Sequence, residues 1–161
     1  MPSFELTPGQ KDVLNARIRQ RYPDFRSFHE PGLLGTQELG YKHAALAKWN
    51  ARMGLSAAEA LLREGKGMEV VDALKSTVAL NIVNFRSWTQ CFGEDEEAAT
   101  EILAACVRAA QDGTGSRESL EPIFAAAARH GRRLNWDALS VTLWALNPLV
   151  FFPVKISFFR M

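Results

Sequence analysis

A chain of 161 residues, 47% hydrophobic and 23% charged, holds enough apolar side chain for one buried core and is neither disordered nor fibrous in composition. A net charge of +1 argues against a domain that grips nucleic acid by a large basic surplus, and no apolar run approaches the ~20 residues that span a bilayer. The N-terminal "MPSFELTPGQK" lacks the basic and apolar regions of a secretion signal, so the expectation is a single cytoplasmic domain over residues 1–161 with no membrane partner.

Thr7-Pro8-Gly9-Gln10 predicts a helix start, with Thr7 as N-cap, Pro8 at the first helical position and Gln10 closing a capping box. Val13, Leu14, Ile18 and Tyr22 recur at helical spacing until Pro23, and "SFHEPGLLGT" with Phe28, His29 and Glu30 is a loop. A second helix is expected from about Thr36 to Met53 through Leu39, Leu46 and Trp49, with Gly54 as its stop. Ser56 to Glu59 reads as another capping box, opening a short helix that ends at "EGKG", the only internal boundary in view. Met68 to Ala79 is again helical through Val70, Val71, Leu74 and Val78, whereas "LNIVNFRSW" alternates asparagine with apolar residues and reads as an extended junction.

Glu94 to Gln111 carries acids in its first turn, Ile102, Leu103, Cys106 and Val107 on one face and "DGTG" at its end, a strong helix signature. Ser116 caps the next helix, which Pro122 bends slightly on its way to Gly131. Asn135 caps the last, with Trp136, Leu139, Leu143 and Leu146 at helical spacing until Pro148. Period two then sets Val154, Ile156 and Phe158 against Lys155, Ser157 and Phe159. The expected fold is mainly α: a compact bundle of six or seven helices with a short C-terminal strand-like segment, which would make one small sheet with "ALNIVNF" if the two pair.

No catalytic constellation is visible. "REGKGME" has glycines and Lys66 but neither Walker spacing nor a preceding strand. His29, His43 and His130 lack metal-ligand spacing, and Cys91 and Cys106 sit in apolar surroundings as small reduced thiols. No Ser, Cys or Thr stands in a strand-turn-helix elbow. The expectation is no catalytic residue, no metal and no cofactor. Binding fits better: "NFRSW" sets Arg86 between Phe85 and Trp88, a kit that stacks on a base, although Phe85, Trp88 and Phe92 are equally spaced to fill a core. Arg17, Arg19, Arg21 and Arg26 form one basic cluster and Arg129, Arg132 and Arg133 another, suited to phosphates or to the ends of helices.

"GYKHAALAKW", "LNIVNFRSW" and "WALNPLVFFPVKISFFR", in that order, resemble the N-terminal region that precedes the AAA+ GTPase module in some McrB-like modification-dependent restriction proteins. Asn81, Val83, Asn84, Trp88, Pro148, Phe152, Pro153, Lys155 and Arg160 are the matching positions, and Phe85 stands where the pattern has a tryptophan. The resemblance implies a non-catalytic DNA-recognition module, the N-terminal part of a longer protein, reading DNA that can carry a modified base while a separate motor and nuclease do the chemistry. The residues expected to touch nucleic acid are Arg86, Trp88, Arg129, Arg132, Arg133 and Lys155, and the phenylalanine-rich end would meet other domains or subunits of a restriction complex. The alternative is a protein-interaction or assembly module of a defence NTPase without nucleic-acid contact. The two part on one observation: arginines converging on a face favour DNA, whereas scattered arginines beside bare phenylalanines favour assembly.

Overall fold

The structure is a computed structural model that describes residues 7–26, 40–79 and 83–153. These form eight helices: α1 (Pro8–Arg21), α2 (Gly40–Arg52), α3 (Gly54–Arg63), α4 (Gly67–Val78), α5 (Phe85–Phe92), α6 (Glu96–Asp112), α7 (Arg117–Arg129) and α8 (Trp136–Leu146). No strand occurs among the described residues. The expected strand-like tail from Val154, the Leu80–Ile82 part of its partner and the loop carrying Phe28, His29 and Glu30 lie outside them. None of the described helices is long and apolar enough to cross a membrane.

The chain divides into Met1–His43 and Ala44–Met161, a division that falls inside α2 rather than at Gly65–Gly67. In the first unit α1 begins as its sequence dictates. The Thr7 hydroxyl accepts from Gln10 N at 3.3 Å while the Gln10 side chain accepts from Thr7 N at 2.9 Å, so two orphan donors are satisfied reciprocally. Val13 and Leu14 are exposed, and Ile18 and Tyr22 half-buried.

The second unit is organised by α6, which packs against α3, α4, α5, α7 and α8. Its buried residues include Ala98, Ala99, Ala105, Ala109 and Ala110, and such small side chains let neighbouring backbones come close. The approach is closest at Gly67, where an added Cβ would lie 2.2 Å from the backbone N of Thr100. This contact also caps a helix. The N-cap of α4 is Lys66, whose side chain caps nothing, and α6 supplies the missing acceptors: Gly67 N donates to the Thr100 hydroxyl and Met68 N to the Glu96 carboxylate, both at 2.9 Å. α8 packs against both α6 and α4 and is buried continuously from Ala138 to Leu146. The Asn147 side chain at its end donates to the Ala110 carbonyl at 2.8 Å.

Two expectations are corrected by local chemistry. Ser56 does not open a helix: α3 starts at Gly54, its N-cap Met53 makes no side-chain cap, and Glu59 pairs with Arg63 at 3.3 Å. Nor is the "NFRSW" half of the junction extended. Asn84 caps α5 by accepting from Arg86 N at 2.6 Å, and Gly93 ends it with φ of 76°, a conformation costly for any other residue.

Gly67→Ala is expected to destabilise the protein by on the order of 3 kcal/mol in urea unfolding, because the clash is with backbone that cannot swing aside. Gly9→Ala, which meets nothing within 4 Å, is the control and should leave the midpoint unchanged or slightly raised. The buried thiols predict an alkaline effect as well. Burial pushes Cys91 up from 9.0 to about 11 and raises Cys106 too, so both stay neutral in the fold. Their stabilisation is complete below the unfolded thiol pKa and is lost as pH rises from about 9 towards 11. Cys91→Ala should flatten the fall of Tm over that window.

Candidate interaction surfaces

Two of the arginines named from the sequence, Arg129 and Arg132, are paired with acids. Arg129, at the end of α7, donates from Nε to Glu101 Oε1 at 2.9 Å and again from its terminal nitrogen, while His130 Nε2 lies 2.6 Å from the other carboxylate oxygen. Arg132 donates to the Asp95 carboxylate. Its guanidinium lies over Gly93, where an added Cβ would come within 2.5 Å of Cζ. The cation thus sits at the C-terminal end of α5, where the helix dipole favours it, and beside the N-cap of α6. These contacts make Arg132 a staple between two helix ends. Arg86 and Arg133 are exposed, each without an ion pair to any described residue, and Lys155 lies outside the described residues.

Trp88 is placed in the core. It is 1% exposed and tilted against Phe92 with ring centroids 5.9 Å apart, so its ring has no free face for a base. Other members of the resembling pattern have structural duties as well: Val83 is buried and Asn84 is a helix cap. Core packing, the bland alternative for the aromatics of "NFRSW", accounts for Trp88 and Phe92.

The acids bound to the arginines are held ionised. Asp95 is shifted below the ordinary carboxylate value by the hydrogen bond from Ala98 N and then by Arg132, and Glu101 by Arg129 and then by His130. Among the described residues no three His, Cys, Asp or Glu side chains gather as metal ligands.

A different surface stands out. Phe124 of α7 is 41% exposed and Trp136, first residue of α8, is 43% exposed, and their rings meet edge to face at 5.9 Å. Past α8, Leu149 is 95% and Phe152 71% exposed. Two open hollows lie on this side. One, of about 300 Å³, is walled by Leu120, Trp136, Leu143, Val150, Phe151 and Phe152, and the other, of about 420 Å³, by Arg117, Leu120, Glu121, Phe124 and Trp136. Leu120 and Trp136 belong to both.

The periodicity of the sequence placed Trp136 with the buried stripe of α8 and so missed it. Position supplies the signal: a residue directly after an Asn cap stands on the first turn, at the edge of the core. Phe124 follows the buried Ile123 and is rotated by about 100° away from it. No family model, curated protein or solved structure matches this chain.

Because both carboxylates titrate below their ordinary values, the stability they contribute is present above the ordinary carboxylate range and is lost as pH falls through the lowered values. Asp95→Asn, which keeps an acceptor at the cap but removes the charge, should make the decline of Tm from pH 6 to pH 3 shallower. Parallel curves for the two proteins would show that the Asp95 carboxyl is not held below its ordinary value by Ala98 N and Arg132 in solution.

Proposed function

We propose that this chain is a non-catalytic protein-interaction module whose docking surface is the aromatic side formed by α7, the start of α8 and residues 149–153. The observation that carries the reading is the exposure of Phe124, Trp136 and Phe152, which border two hollows, with Leu149 exposed close by in the chain. Such patches on folded chains mark sites that a partner covers. Aromatic side chains bring much contact area for little lost freedom, which suits them to anchor an interface. In the setting that the sequence resemblance implies, the partner is another domain or subunit of a restriction complex.

DNA recognition is the second reading, and what favours it is the exposure of Arg86 and Arg133, neither ion-paired to a described residue. Two or three phosphate contacts of this sort give weak, strongly salt-dependent binding. Selectivity for a modified base would need a stacking residue other than Trp88.

The two readings separate by site-specific photocrosslinking with p-benzoylphenylalanine placed in turn at Phe124, Phe152, Arg86 and Arg133 in cells expressing the protein. Interaction through the aromatic surface gives protease-sensitive adducts at 124 and 152 and few at 86 and 133. Nuclease-sensitive adducts at 86 and 133, with none at 124 and 152, would reverse the conclusion.

A further inference from the structure

The start of the first unit carries charge of one sign. Residues 7–26 hold five bases, Lys11, Arg17, Arg19, Arg21 and Arg26, against the two acids Asp12 and Asp24. The chain as a whole sums to only +1, so the remainder is net acidic. Lys11 and Arg17 are exposed and make no ion pair with a described residue. Asp12 lies about 140° round α1 from Arg17, too far to neutralise it, and Arg19 turns its Nε back to the Phe25 carbonyl at 3.3 Å.

Beside Arg17 stands an apolar pair. Val13 is 59% and Leu14 43% exposed, and with Arg17 they border an open hollow of about 490 Å³ whose other walls are Thr7, Gly9 and Gln10. All six belong to one helix and its N-cap, so among the described residues no second element faces them across the hollow. Arg17 is the one charged residue that borders it.

The order of these residues is that of a helix seam. Gln10, Val13, Arg17 and Gln20 recur at intervals of three, four and three and are all exposed, the spacing with which one helix packs along another. The Gln10 side chain is committed to the capping box, which leaves Val13, Leu14 and Arg17 to select an occupant. A cation inside a seam needs an anion opposite it, because an apolar or cationic neighbour would strip its water and leave it unpaired. Val13 and Arg17 are one turn apart, so a matching helix carries its apolar residue and its acid one turn apart as well. A second copy of α1 fails this requirement, since its seam holds no acid. A row of phosphates offers nothing apolar to Val13 and Leu14, and the cations of α1 diverge round the helix.

We propose that α1 docks an acidic helical segment of a partner protein, whose leucine-like side chains cover Val13 and Leu14 and whose glutamate or aspartate pairs with Arg17. The apolar contact supplies affinity, and the arginine selects an acidic partner over a basic one. This inference does not rest on the aromatic surface of α7 and α8.

The test uses the full chain and two fluorescein-labelled helical peptides, read by anisotropy at low and moderate salt. Both are rich in alanine and glutamine, one carrying the seam Leu-x-x-Leu-x-x-x-Glu-x-x-Leu and the other the same seam with Lys in place of Glu. The Glu peptide is expected to bind about tenfold more tightly than the Lys peptide, with the difference narrowing as salt rises. Arg17→Glu should reverse that preference, and Val13→Ser should weaken the Glu peptide about fivefold, with helicity of both variants checked by circular dichroism. Trp136→Ala should leave peptide binding unchanged, which keeps this site distinguishable from the aromatic one. Equal affinity for the two peptides, or Glu-peptide binding that survives both α1 substitutions, would overturn the inference. So would Arg17-dependent binding of a labelled DNA duplex or of phosphatidylserine vesicles without binding of the Glu peptide, because a polyanion would then be the occupant.

Discussion

The second unit depends on how closely helices can approach α6. Alanines along its buried side and the missing side chain at Gly67 bring the α4 backbone into direct contact with α6, close enough for Thr100 and Glu96 to take over the capping that α4 lacks. One contact therefore solves two problems, packing and the orphan donors of a helix start. The same helix is tied to α8 through Asn147 and Ala110, and to α7 through Glu101 with Arg129 and His130. Its own N-cap, Asp95, is held by Arg132.

This arrangement decides what is left for function. Two of the arginines that the sequence offered to nucleic acid are engaged in holding helix ends together, and the tryptophan offered to a base is interior. In the second unit, the exposed large apolar residues among those described lie on α7, at the start of α8 and just after it. Because α8 is buried from Ala138 onward, its first residue is where the core meets solvent, and Trp136 joins Phe124 there as an outward aromatic pair. Single exposed apolar residues are ordinary on a folded chain, whereas here Phe124, Trp136 and Phe152 together border two hollows.

Most of the fold was legible in the sequence because its signals are local. Thr7 with Gln10, the run of acids from Glu94, Ser116 and Asn135 each announced a helix that forms. The misses share one cause, in that a local pattern was outbid by tertiary contact or by a cap taken for something else. Ser56 had the capping-box spacing, yet the helix had already begun at Gly54. Asn84 looked like part of an alternating strand and is a cap, so α5 went unseen. The binding surface was less legible still. Nothing in a single sequence tells which arginines will find acids 28 or 37 residues away, as Arg129 and Arg132 do, and helical periodicity alone cannot tell a buried Trp136 from an exposed one.

The central claim, that the aromatic side of α7 and α8 stands bare while the other three tryptophans are spent on the core, has a direct test in tryptophan fluorescence. Trp49, Trp88 and Trp144 are buried and Trp136 is exposed. Acrylamide quenching should therefore resolve one accessible and three protected emitters, with Trp136→Phe removing the accessible component alone. Uniform quenching of all four tryptophans, or an accessible component that persists in Trp136→Phe, would contradict the account.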